Sequence, residues 1–491
     1  MKDLFIHDEL ILNQKVKKVF AFFCFLGILG TLSILIPAIQ KYFLLFVEKK
    51  VITIHPVIKE LMGSHPDSLS NWVPIFIISS LTCFFIVFIL AVIKKTINKY
   101  EFFIFMFFII LLLCVFPVNG VNSYVESSYL LSYRYGFAHR MLIGTIVDML
   151  SYGGYVSRLL ILCFIFCSTV WLSFLVSTIT GYLIMKSDDK IPVLLLTLLY
   201  LSSSVSIQAY FYFSNFGRIE IYVLIFMLAA LSIINKKVLR WFIPALCFMS
   251  LAAHLVIVFF YIPFIFIILL YVYFNKPNQS KNEMKLLIIT VLSVIVTFIY
   301  FVIFSKSTLI YQDWIIFTDI LKEKTNAVNP GLSLEADFFS IIDTFRYAIR
   351  AYKNSMVYRI YCIIQSLPLF IFFILFWRTC IKKEQKKAMK FIFHLSMFLP
   401  VFSIPAFVFF IDWGRWVVML LTIQFMLVFY FLYKQENAVT FAMKKFIVIF
   451  KKNCFIFFIY IMLSIFFGPI WASPNFTHLM NIFIRIIREI L

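Results

Sequence analysis

The chain has 491 residues, 63% of them hydrophobic and 14% charged, with 44 Lys and Arg against 23 Asp and Glu and a formal net charge of +21. A water-soluble globule is excluded, because its apolar share is typically about half. A membrane-spanning barrel is excluded as well, since the apolar runs do not alternate polar and apolar residues.

Apolar runs of about 20 residues, each able to cross a hydrocarbon core roughly 30 Å thick as a helix, recur along the whole length. Roughly thirteen spans are predicted, starting near Val16, Val73, Phe102, Leu159, Ile191, Ile219, Trp241, Ile257, Leu286, Val357, Phe391, Trp416 and Cys454. The fold class is therefore an all-α polytopic membrane protein, one integral membrane domain over residues 1–491, with amphipathic helices in its exported loops. Residues 241–275 admit two readings: two short helices bending at His254, or one long span with a re-entrant piece. No small-residue cleavage site follows the first span, which reads as a retained anchor. The nine cysteines fall within or at the ends of the apolar runs, so neither a disulfide framework nor a zinc ligand set is indicated. No internal repeat stands out. The wealth of Phe, Ile, Lys, Tyr and Asn leans toward a bacterial source.

Lysine clusters at Lys15, Lys17 and Lys18, at Lys94 and Lys95, at Lys236 and Lys237, and within 382–390 and 444–452 all fall on one side of this map. The positive-inside rule makes that side, with the N-terminus, cytoplasmic. The positive charge thus reads as orientation and contact with anionic lipid, and no nucleic-acid partner is expected. Arginine is sorted differently: about ten of the twelve map to the opposite, exported side. Orientation needs no such sorting. A guanidinium gives a forked grip on phosphate or carboxylate that a lysine ammonium does not. The plainer reading of any one of them is a side chain snorkelling to lipid headgroups.

Four exported stretches carry chemistry. Residues 119–158 include "LSYRYGFAHRMLIGTIVDML", where Gly136 lets the chain turn so that Arg134 and Arg140 could share a pocket with His139, and where Asp148 and Glu126 supply carboxylates. Its structural alternative is an interfacial helix with an aromatic belt. "SNFGRIE" puts Arg218 and Glu220 at a span end, and "LAAHLVIV" leaves His254 in an apolar stretch, where an interhelical hydrogen bond is the plainer role. "FFIDWGRWV" sets Asp412 and Arg415 three residues apart between two tryptophans; Asp412 either caps its helix and pairs with Arg415, or serves the chemistry. The longest exported loop, 306–356, holds "EADFFSIIDTFRYAIRAYK", an amphipathic helix with Arg346 and Arg350 near its end, read as a surface lid over a phosphate or as a plain interfacial helix. The C-terminal "HLMNIFIRIIREIL" repeats the pattern and reads as interfacial.

No Walker loop, GxGxxG, HExxH or GxSxG is present, so nucleotide-driven transport and soluble-type hydrolysis find no support. Neither a cofactor nor a metal site is expected. An arginine-rich exported face with aromatics, a long exported loop and about a dozen spans resembles the membrane enzymes of bacterial surface-polysaccharide assembly: the Wzy-type O-antigen or capsule polymerases and, more broadly, the C-type glycosyltransferases. The resemblance covers the whole chain as architecture. It implies glycosyl transfer from a polyprenyl phosphate- or diphosphate-linked sugar at the outer face of the bacterial inner (plasma) membrane. The implied partners are the lipid-linked glycan, membrane lipid and polysaccharide-assembly proteins. Arg134, Arg140, Arg218 and Arg415 match the phosphate-binding role by type and side, the residues themselves add His139, Arg346 and Arg350 as substrate-binding candidates, and the candidates for a base are Asp412, Glu126, Asp148, His139 and His254. One departure is that the close acidic pair many C-type enzymes carry in the first exported loop is replaced by scattered Glu48, Glu60 and Asp67. The rival reading is a flippase or transporter of a lipid-linked anionic oligosaccharide, binding the same cargo without reaction.

Overall fold

A computed structural model describes residues 97–115, 121–151, 153–187, 189–203, 205–211, 215–275, 281–304, 309–311, 313–327, 329–331, 341–409 and 412–467. The expected spans near Val16 and Val73 and the C-terminal amphipathic segment lie outside these residues. Among the described residues every regular element is a helix, joined by one isolated bridge between Val156 and Thr325. Six helical stretches are long and apolar enough to cross a membrane: Arg158–Lys186, Lys190–Tyr210, Lys281–Ile303, Cys362–Lys383, Lys387–Val408 and Trp413–Tyr433.

Helix α1 (Lys99–Val115) lies along α4 (Arg158–Lys186), past the short α2 (Ser123–Ser128) and α3 (Met141–Leu150). Ser157 caps α4 by accepting the Leu160 N–H at 3.2 Å. Down its buried side Thr169, Ser173, Ser177 and Thr180 return their hydroxyls to carbonyls one turn back, which satisfies them in an apolar interior. Helix α5 (Lys190–Ser202) continues through a 3₁₀ turn at Ile207–Tyr210, and α6 (Glu220–Ile233) follows.

Residues 241–275 form two short helices, α7 (Ile243–Ala253) and α8 (Tyr261–Phe274), broken where His254 takes φ −157° and ψ 110°. Of the two readings of this stretch, two short helices bending at His254 is the one the chain adopts. Helix α9 (Lys281–Ile303) is only 33% buried over its apolar window, and Ile288, Leu292, Ile295 and Ile299 face outward, as expected of a rim helix. After α10 (Trp314–Glu323), the 43-residue α11 (Ile341–Lys383) replaces the separate surface helix expected around Arg346 and Arg350. At 1.5 Å per residue it is about 64 Å long, roughly twice a hydrocarbon core. No Gly or Pro separates its amphipathic start from its apolar end, and Pro368 lies within the span, so nothing local stops the helix between them.

Helix α12 (Lys387–Phe402) and the short α13 (Ile404–Phe409) lead to α14 (Trp413–Tyr433), followed by α15 (Asn437–Lys452) and α16 (Cys454–Phe467). The apolar window of α14 is 83% buried, which makes it the central post of the bundle. Its polar group Gln424 accepts the Trp377 indole N–H at 2.7 Å and donates to the Ser396 carbonyl at 2.9 Å, so its burial is compensated.

The two ends of α14 differ in charge type. At the Tyr433 end, Lys434 donates to Asn235 at 2.9 Å, Lys186 lies a turn from Tyr182 against Tyr433, and Arg240 pairs with Glu283. At the Trp413 end stand Arg415, Arg218 and Arg140. The Tyr433 end thus carries Lys186 and Lys434 with the paired Arg240, and the Trp413 end carries Arg140, Arg218 and Arg415.

Candidate functional site

The site is assembled at the first turn of α14. Asp412 occupies the N-cap position but makes no side-chain bond to the helix backbone. Its Oδ2 instead receives Arg415 Nη2, so of the two structural roles open to it only the ion pair is realised. Arg415 Nη1 donates to Glu220 Oε1 at 2.5 Å, and the guanidinium lies 5.1 Å from the Trp416 ring. One arginine thereby ties α14 to α6.

Glu220 is reached through a tight turn. Gly217 has φ +84°, a backbone conformation that favours glycine, and an added Cβ would come within 2.5 Å of Ile165 Cδ1 and have to displace that side-chain tip. Tyr129 holds this turn by donating its hydroxyl to the Gly217 carbonyl at 2.5 Å, with the Tyr222 hydroxyl 3.0 Å away. The next residue, Arg218, stacks its guanidinium over Tyr124 at 5.1 Å. Among the described residues Arg218 has no carboxylate within ion-pair distance, and its Nε has no hydrogen-bond partner.

Arg140 and His254 close the third side. Arg140 is a non-glycine residue at φ +68°, immediately before α3, and its N–H donates to the Ala252 carbonyl at 2.8 Å. This bond fixes a backbone conformation that costs on the order of 1–3 kcal/mol, and it fills a free acceptor at the C-terminal end of α7, where a cation is favoured. His254 follows that helix end, with Nε2 4.0 Å from Glu220 Oε1 and its ring edge-on to Trp416 at 5.8 Å. Its Nδ1 is buried without a hydrogen-bond partner among the described residues.

These groups surround a small, half-open crevice lined by Tyr124, Ser128, Arg140, Arg218, His254 and Arg415, with Gly217 and Glu220 at its wall. Three guanidiniums face two carboxylates, which leaves one positive charge when His254 is neutral. Burial opposes the charged form of Asp412, yet Arg415 and Arg218 overcome it and hold the carboxyl below its usual range. Burial and the neighbouring Arg415 charge lower the Arg218 guanidinium from its ordinary value, which marks a cation short of counter-charge. Such a pocket is suited to an anion with several acceptor oxygens.

The residues singled out in the sequence divide. Arg140, Arg218, His254, Asp412 and Arg415 converge, and His139 lies close enough to act electrostatically on His254. Arg134 does not join Arg140: after the turn at Gly136 (φ +139°) it donates to the Gly153 carbonyl at 2.5 Å and stands 3.6 Å from Asp148, with its side chain 41% exposed. Glu126 is also outside the pocket lining, because it pairs with Arg158 Nε at 2.6 Å and so anchors the first turn of α4. The backbone at Arg346 and Arg350 belongs to α11, and their side chains fall outside the described residues.

Glu220 is the carboxylate that matters most to the geometry, and its adjacency to Arg218 was the only signal. Tyr124 and Tyr129 carried none beyond being aromatic. Further along α11, the buried Arg359 stacks over Trp413 at 4.9 Å, beside the Asp412 turn. The long loop also meets the 119–158 segment through Val156 N–H to the Lys324 carbonyl at 2.8 Å, Thr325 Oγ to the Val156 carbonyl at 2.7 Å, and Ile310 N–H to the Tyr135 carbonyl at 2.9 Å. Among the described residues no group of three or more His, Cys, Asp or Glu side chains is placed to hold a metal ion. Comparison of the chain with known protein families, curated proteins and solved structures finds no match.

Proposed function

We propose that the protein transfers a glycosyl group from a polyprenyl phosphate- or diphosphate-linked sugar, at the outer face of the plasma membrane, in assembly of a surface polysaccharide. The observation that carries the reading is Arg218, a half-buried guanidinium with no carboxylate in ion-pair distance among the described residues and a buried Nε without a hydrogen-bond partner, converging with Arg140 and Arg415 on one crevice.

In this reading the bond between the sugar's anomeric carbon and the phosphate oxygen breaks, and its electron pair leaves with the phosphate. Preoriented guanidiniums stabilise the charge that develops there. The acceptor hydroxyl forms the new bond to the anomeric carbon and gives its proton to His254 at Nδ1, while Nε2 stands 4.0 Å from Glu220 Oε1. Asp412 is then a positioning residue that holds Arg415, a narrower role than proton acceptor. The test is deletion of the gene, complementation with wild type, Arg218→Ala or His254→Gln, and gel analysis of surface glycan. Loss of long chains with the deletion and with both variants supports transfer. Loss of all glycan on deletion would point to a carrier of the lipid-linked precursor.

A further inference from the structure

At the Tyr433 end of the bundle the 3₁₀ turn Leu239–Phe242, which leads into α7, is pinned to the first turn of α9. Arg240 and Glu283, both buried, form the ion pair that joins them, and α7 packs along α9 beyond it. The pair brings two lysine clusters to one place. Lys236 and Lys237 immediately precede this turn, with the Arg240 N–H donating to the Lys236 carbonyl at 3.0 Å, while Lys281 and Lys285 flank Glu283. Asn235, which accepts Lys434 Nζ at 2.9 Å, fixes this corner to the end of α14. Within residues 234–242 and 281–289 five cationic side chains meet a single carboxylate, which leaves four positive charges. Lys237, Lys281 and Lys285 are exposed, and Arg240 Nε is buried without a hydrogen-bond partner among the described residues. Beside the lysines the same two segments expose Val238, Trp241, Phe242, Met284 and Ile288.

We infer that this corner binds an anionic phospholipid of the surrounding membrane, with its phosphate at the two lysine pairs and its acyl chains against Trp241 and Phe242. Charge selects the headgroup. Lysines at the start of a membrane-spanning helix such as α9 attract anionic lipid, each one adding to the attraction. The apolar neighbours select a lipid over a free anion, since a soluble phosphate would make no use of Trp241, Phe242 or Ile288, and an exposed tryptophan beside basic residues is at home between headgroup and hydrocarbon. The buried Arg240–Glu283 pair distinguishes this corner from a diffuse basic surface, because it holds the two lysine pairs in a fixed relation before any lipid arrives. The site shares no residue with the arginine crevice, and its test is independent of the function proposed above.

The experiment is native mass spectrometry of the full chain purified in detergent, with phosphatidylglycerol and phosphatidylcholine of the same acyl chains added in equal amounts. The result expected is retention of phosphatidylglycerol over phosphatidylcholine. Combining Lys237→Gln, Lys281→Gln and Lys285→Gln should lower that preference by about a hundredfold, and because the three side chains are exposed their replacement leaves the packed interior untouched. A control variant combining Lys382→Gln, Lys383→Gln and Lys387→Gln removes the same charge elsewhere and should change the preference by less than about threefold. Equal losses in the two triple variants would reveal a diffuse attraction of lipid to charge and overturn the site. Equal retention of the two lipids by the wild-type protein would overturn it as well. Displacement of phosphatidylglycerol by inorganic phosphate at the same concentration would make this a free-anion site and overturn the lipid.

Discussion

Arg415 and Glu220 are 195 residues apart in sequence and joined by a 2.5 Å bond between side chains that are 7% and 1% exposed. Removing Glu220 takes one of the two carboxylates from Arg415 and leaves it only Asp412, so the cost is at or below the about 3–5 kcal/mol of a buried pair broken outright. Glu220→Ala is therefore expected to lower the thermal stability of the detergent-solubilised protein by that order, with Glu220→Gln less severe because the amide oxygen still accepts. Unfolding monitored by tryptophan fluorescence checks this. An unchanged melting temperature for Glu220→Ala would contradict the packing described.

Arg218 should behave in the opposite way. It has no carboxylate to abandon, so Arg218→Ala is expected to change stability by less than about 1 kcal/mol while abolishing long-chain glycan. Arg218→Lys should restore little, since an ammonium cannot reproduce a forked grip or the stack on Tyr124. Wild-type glycan from Arg218→Lys at matched protein level would reduce this residue to an orientation charge.

Arg134 and Arg140 look equivalent in the sequence and are not. Arg134 reaches outward to Gly153 and Asp148, whereas Arg140 lines the crevice. Arg134→Ala is expected to leave glycan length unchanged, and Arg140→Ala to shorten it. Arg140→Gly should be more stable than Arg140→Ala, by about 1 kcal/mol, because glycine tolerates the positive φ. Reversal of the two glycan phenotypes would show the crevice to be wrongly built.

The contrast shows what the sequence could and could not disclose. Helices starting near residues 102, 159, 191, 286, 391 and 416 were legible because twenty apolar residues leave the backbone no other way to satisfy its hydrogen bonds. The sorting of Arg from Lys singled out Arg140, Arg218 and Arg415, which stand together at the Trp413 end of α14. Which arginines converge depends on the turn at Gly217, the Tyr129 hydroxyl and the Arg140 to Ala252 bond, all of them contacts between residues far apart in the chain. Glu126 and Asp148 were chemically plausible bases, and nothing local revealed that Arg158 and Arg134 already engage them.

Asp412 carries a pH signature. Its folded carboxyl titrates below the ordinary value of about 4, held there by Arg415 and Arg218 against burial. Its contribution to stability is therefore fully present above that ordinary value and is lost as pH falls through the depressed one. Melting temperatures recorded between neutral and acid pH should show a decline in the acid range that Asp412→Asn makes shallower. Parallel curves for the two proteins would remove Asp412 from the buried network.

The central claim is that the arginine crevice grips the phosphate of a lipid carrier, and the most direct measurement compares polyprenyl phosphate with polyprenyl alcohol for binding to the purified protein in nanodiscs by native mass spectrometry. Wild type and His254→Gln are both expected to prefer the phosphate, and Arg218→Ala to lose the preference by about ten- to a hundredfold, the value of one or two charge-assisted hydrogen bonds. Equal binding of phosphate and alcohol by the wild-type protein would contradict it.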